Sequence, residues 1–120
     1  MTQQDKDLLL RDLCARLPYG VKIPFRNNSE ILLGIKCDYC YTESNTPIST
    51  DGVKPFLRPL SSMTKEEKNK YEEIAHNSFD GTWFSTIEPF DYLNSIHVDY
   101  RGLIEKGLAI EVTEENNPYK

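Results

Sequence analysis

Three groups of residues in this 120-residue chain have the types and spacing to do chemistry. Cys37 and Cys40 stand two residues apart, the spacing of zinc-binding and thiol-exchange pairs. Zinc needs a second pair, and only Cys14, His76 and His97 remain to supply one, none at paired spacing. If residues 37 to 42 form a strand, Cys37 and Cys40 point to opposite faces and cannot share a metal. No helix start follows to lower a thiol pKa. The pair therefore reads as structural, and no metal or cofactor is expected.

His97 lies among Asp99, Tyr100 and Arg101, with Asp91 and Tyr92 upstream. Such neighbours could orient an imidazole for acid-base work, so an enzyme using His97 is one alternative reading. The chain has no nucleophile elbow, no glycine loop for phosphate and no His-Glu metal motif, and a histidine between helices more often caps or meets a carboxylate. The sequence thus leans towards a protein without catalysis.

The run Arg58-Pro59-Leu60-Ser61-Ser62-Met63-Thr64 is more suggestive. An arginine ends a strand, and hydroxyls lead into a helix whose free amides favour an anion. Lys54 is expected on the same strand face as Arg58. Against this, Thr64 is already explained by capping, and Glu66 and Glu67 would repel an anion. If the ligand is an anionic nucleotide, Lys54, Arg58, Ser61 and Ser62 are the expected phosphate contacts, and Tyr19, Trp83 or Tyr92 would stack a base. Arg101 and His97 come next. A protein partner would use the same aromatic residues as anchors.

These residues need a scaffold. Thr2 with Asp5 resembles a capping box, and Leu9, Leu10, Leu13 and Leu17 recur at helical spacing, which predicts an amphipathic helix over residues 3 to 17 ending at Pro18-Tyr19-Gly20. Strand-like runs follow at Val21 to Phe25, Ile31 to Lys36, Cys37 to Thr42 and Val53 to Leu60, with a turn at 26 to 29. They predict a small curved antiparallel sheet or partial barrel, with the first helix packed across it. Thr64-x-x-Glu67 is a capping box, so a second helix is expected from Lys65 to His76, with Tyr71, Ile74 and Ala75 on its buried face. A third helix should start near Pro89 and bury Phe90, Leu93 and Ile96. A fourth, short one is expected over Tyr100 to Lys106, ended by Gly107. Leu108 to Val112 should then form a strand that rejoins the sheet, and the tail 113 to 120 should be loose. The fold class is α+β, a single domain over residues 1 to 120, with an N-terminal helix and three further helices.

Composition narrows the partners. The net charge of -5 is unevenly spread, with eight basic and seven acidic residues in the first sixty positions against six and twelve in the rest. Duplex nucleic acid is not an expected partner, because phosphate contacts call for a basic stripe and Arg11, Arg16, Lys22, Arg26, Lys36 and Lys54 are scattered as solvated surface charges. The segment Leu103 to Ile110 has the helix, glycine stop and strand of a winged-helix exit, which leaves a small DNA-binding regulator as a weaker alternative. No apolar run nears the roughly 18 residues of a membrane span. The start lacks the layout of a signal peptide, so a cytosolic protein is expected. Homo-oligomerisation would add buried surface to so short a chain.

Three segments also carry a resemblance: Leu13 to Val21, Val53 to Thr64, and Asp91-Tyr92-Leu93-Asn94 with Asp99 to Ile104 and Gly107-Leu108-Ala109. Together they resemble a family of short, uncharacterised proteins from gut anaerobic bacteria, their prophages and phages. That family has no assigned activity to carry over. The resemblance implies a phage or prophage accessory protein in the cytoplasm of a bacterial host. By analogy of context, such a protein would counter bacterial defence by binding a host protein or sequestering a nucleotide signal.

Overall fold

The computed structural model describes residues 2–26, 28–36, 39–44, 47–50, 53–77 and 87–119. Helix α1 runs over Gln3–Arg16, capped as expected by the Thr2 hydroxyl, which accepts from the Asp5 amide at 3.0 Å. Pro18 and Tyr19 tighten the exit into a single 3-10 turn, and Gly20 at φ +69° reverses the chain, a conformation that only glycine adopts cheaply.

Four antiparallel strands follow in sequence order: β1 (Lys22–Phe25), β2 (Asn28–Lys36), β3 (Tyr39–Thr42) and β4 (Pro47–Ser49). The β1–β2 connection is a two-residue loop, since Phe25 pairs with Asn28. Such loops need left-handed backbone, and Arg26 supplies it at φ 56°. Between Leu32 and Gly34 the β2–β3 register slips, which leaves Leu33 as an extra, outward residue. A bulge of this kind sharpens local twist and curls the sheet into the partial barrel that the strand-like runs predict. Pro24 is tolerated because β1 is an edge strand, and the short β4 begins with Pro47, which cannot donate to a further strand.

The remaining strands form a second sheet. β5 (Phe56–Pro59) lies between β6 (Val98–Asp99) and β7 (Ile110–Glu111), parallel to both. The run at 53 to 60 and the terminal strand were expected to extend the antiparallel sheet; they pair with each other instead. Between β5 and β6 come a 3-10 turn (Leu60–Ser62), α2 (Lys65–Asn77) and α3 (Ile87–Ser95). The capping box of α2 is closed in both directions, Thr64 N donating to Glu67 Oε1 at 2.9 Å and Glu67 N to Thr64 Oγ1 at 3.1 Å. On α2, Tyr71, Ile74 and Ala75 are half-buried, whereas on α3 Leu93 is buried and Phe90 is 40% exposed.

No helix forms over 100 to 106. Both carboxylate oxygens of the buried Asp99 take up loop amides, those of Arg101, Leu103 and Ile104 at 3.3, 3.0 and 2.9 Å. With those amides held by a side chain, and Gly102 at φ +77°, the chain makes successive turns rather than a helical ladder. The tail differs from expectation too. Tyr119 Oη accepts from Lys22 N at 2.9 Å and donates to Phe56 O at 2.7 Å, and Lys22 Nζ reaches Pro118 O at 2.8 Å. The phenol thus caps the open edge of β1 and ties it to β5, while its ring stacks on His97 at 3.8 Å.

One core serves both sheets. Leu9 and Leu13 of α1 share a buried cluster with Val21, Ile23, Leu32, Cys40, Leu57, Leu103 and Leu108. Burying each such aliphatic side chain stabilises the fold by about 1.5–3 kcal/mol. Among the described residues, no helix is long and apolar enough to cross a membrane.

Candidate functional site

Two polar regions flank β5. The first is the strand-to-helix junction, where Arg58, Ser62 and Thr64 do line a cleft of about 520 Å³ together with Val112, Glu114 and Asn117. The anion that this arrangement attracts comes from within the chain. Arg58 Nη1 and Nη2 hold the two Glu67 oxygens at 2.8 and 2.7 Å, Nε donates to Ser62 Oγ at 3.2 Å, and the other two N–H groups reach Ser62 O and Ile96 O at 3.0 and 3.3 Å. All five guanidinium donors are used. The pair holds the Glu67 carboxyl down at about 2 through the Arg58 hydrogen bonds, and raises Arg58 in turn. Arg58 therefore has no free N–H to offer a phosphate. Ser62 is engaged as well, donating to Pro59 O at 2.7 Å. Lys54 is exposed, precedes β5 and lines neither cleft beside that strand.

His97 and Tyr92 adjoin this junction. His97 follows α3 at φ 62°, the left-handed position that closes a helix, and its carbonyl accepts from Arg58 N at 2.7 Å. Burial, together with the nearby Arg16, Arg58 and Lys22 charges, lowers its pKa to about 4. A neutral imidazole under the Tyr119 ring and among three cations is a weak base at neutral pH. Tyr92 is half-buried near Glu67, and burial raises its phenol pKa. Tyr19 is half-buried in the 3-10 turn after α1, and Trp83 lies outside the described residues.

The second region opens between the turn at 59–61 and the Asp99 loop, a cleft of about 610 Å³. It brings together Ser61 and Arg101 from the expected ligand set, with Leu60, Tyr100, Ile104, Glu105 and Glu111 as further walls. Leu60 is 51% exposed. The Arg101 guanidinium lies 5.0 Å from the Tyr100 ring centroid, donates to its hydroxyl at 3.1 Å, and approaches Asp12 Oδ1 at 3.2 Å. Phe90 stacks on Tyr100 at 5.0 Å.

Behind Arg101 lies a feature that the sequence reading missed. Arg16 was expected at the surface, yet Arg16 and Asp12 are both fully buried, joined at 2.8 Å, with Arg16 Nη2 donating to Val98 O at 2.7 Å. Their i, i+4 spacing was the available signal. The Asp12 carboxylate accepts a hydrogen bond from Arg16 through Oδ2 and faces Arg101 Nε through Oδ1 as an ion-pair contact without a hydrogen bond.

Burial pushes the Cys40 thiol up to about 11, Cys14 is exposed, and Cys37 lies outside the described residues. Among the described residues, no three His, Cys, Asp or Glu side chains gather to hold a metal ion. Comparison of the chain with protein-family models, with curated proteins and with solved structures finds no match.

Proposed function

We propose that this chain is an accessory binding protein of phage or prophage origin that acts without catalysis in the bacterial cytoplasm, by gripping a host protein and so countering host defence. The open cleft at Leu60, Tyr100 and Arg101 carries the reading, because it presents an exposed aliphatic side chain beside a stacked Tyr–Arg pair. Tyrosine and arginine recur at interface hot spots, where a rigid ring and a pre-oriented guanidinium lose little entropy on binding. Arg101 is pre-oriented by Asp12 and by Tyr100. Of the two partner classes expected, a nucleotide is the weaker fit, since every Arg58 donor is already taken. The phage context rests on the resemblance carried by the segments around 13–21, 53–64 and 91–109.

The test is affinity capture from bacterial lysate with the wild-type protein and with Leu60→Asp/Arg101→Glu, beside a thermal-shift panel of mono-, di- and cyclic nucleotides. One host protein should be retained by wild type, be displaced by untagged competitor and escape the double variant, while the nucleotides leave the melting temperature unmoved. A melting temperature that climbs with nucleotide concentration would overturn the reading.

A further inference from the structure

We infer that the cleft between residues 59–61 and 99–105 docks a basic segment of the partner protein, a lysine or arginine neighbouring a large aliphatic or aromatic anchor. This rests on the binding-protein reading above and specifies the chemistry of its partner. Leu60, half exposed, with Ile104 and the Tyr100 ring, gives the cleft an apolar wall, which Phe90 extends by stacking on Tyr100. An anchor side chain placed there removes apolar surface from water on both partners.

Charge selects the rest of the segment. Arg101 is the cation of the lining, set against the carboxylates of Asp99, Glu105 and Glu111. Asp99 is occupied by three backbone amides. Glu105 and Glu111 are exposed and enter no ion pair with the described residues, so the uncompensated charge of the cleft is negative. The second half of the sequence, twelve acidic residues against six basic, has the same sign, and a negative field at the cleft would steer a basic partner in while repelling an acidic one.

The test is fluorescence anisotropy on the full chain, with a labelled decapeptide of alternating lysine and leucine and a glutamate–leucine counterpart. The lysine peptide should bind and the glutamate peptide should not. Glu105→Lys/Glu111→Lys and, separately, Leu60→Asp should each weaken binding by about tenfold or more, whereas Glu72→Lys/Glu73→Lys, an equal charge reversal on the exposed face of α2, should change it by less than about twofold. Circular dichroism confirms that each variant is folded. No binding of the lysine peptide, equal binding of the glutamate peptide, or equal loss in the α2 variant would overturn the docking site. Host-protein capture that survives Glu105→Lys/Glu111→Lys would also overturn it, yet would leave the binding-protein reading standing. A nucleotide-dependent thermal shift would instead remove that reading itself.

Discussion

Glu67→Gln separates the charge of the Arg58–Glu67 pair from its shape. Glutamine can still close the capping box, so the change reads out the ion pair rather than the helix start. A carboxyl moved from 4.5 to about 2 by its folded surroundings corresponds to roughly 3 kcal/mol at about 1.4 kcal/mol per tenfold change in proton affinity. Both side chains keep 21% of their surface exposed, and solvent screening brings the expected loss at pH 7 nearer to about 2 kcal/mol. For a chain of this size that is roughly 8 °C in melting temperature. The pH dependence is the stricter check. Because the folded value lies below the unfolded one, the contribution is complete above about pH 4.5 and is lost as the pH falls towards 2. Urea unfolding followed by circular dichroism at pH 7, 5, 4 and 3 should show wild type and variant converging on acidification. A gap at pH 7 under about 0.5 kcal/mol, or one that stays constant down to pH 3, would refute the assignment of Arg58 to Glu67.

Other perturbations probe the rest of the structure. Asp12→Ala leaves the buried Arg16 guanidinium without its carboxylate and should cost about 3–5 kcal/mol in chemical denaturation, with much of it recovered in Asp12→Ala/Arg16→Met. Tyr119→Phe keeps the ring over His97 but strands Lys22 N and Phe56 O; a loss of about 1–2 kcal/mol and faster hydrogen exchange at the Lys22 amide are expected. His97 should stay neutral by NMR until about pH 4, and since its unfolded value is about 6.5, its neutral form contributes stability above that pH which fades as the pH drops from 6.5 towards 4. A midpoint near 6.5 would place the imidazole in solvent instead. Iodoacetamide at pH 8 should modify Cys14 and spare Cys40, whose thiol is buried and held up at about 11, as peptide mapping of the native protein would show.

What could be read from the sequence was what short-range periodicity and capping encode. The leucines of α1, the Thr64–Glu67 box and the turn after Phe25 each fall within a few residues of one another, so a linear reading reaches them. The second sheet escaped because β6 and β7 are two residues long, too short to alternate, and their partner β5 contains a proline. Asp99 was read beside His97 as a possible catalytic neighbour, although its carboxylate is what turns the expected fourth helix into a loop. At the junction, the attraction between Arg58 and an anion was legible, and so was the presence of Glu67. That Glu67 is itself the anion was not, because the pairing depends on how the intervening 3-10 turn folds back. Ser61 and Arg101, forty positions apart in the chain, share a cleft only through the parallel pairing of β5 with β6.

That pairing also orders how the molecule can assemble. The β1–β4 meander consists of adjacent hairpins, each closing a short loop, so it can form early from the first fifty residues. The parallel sheet must close far longer loops. Arg16 meets Val98 across 82 positions and Tyr119 meets Phe56 across 63. Contacts of such separation carry a large entropic cost before they are rewarded, and they slow folding. A meander formed ahead of the second sheet has the Lys22 amide on its outer edge without the phenol that caps it. In that state the chain exposes a strand edge to any neighbour able to pair with it, and the arrival of Tyr119 ends it.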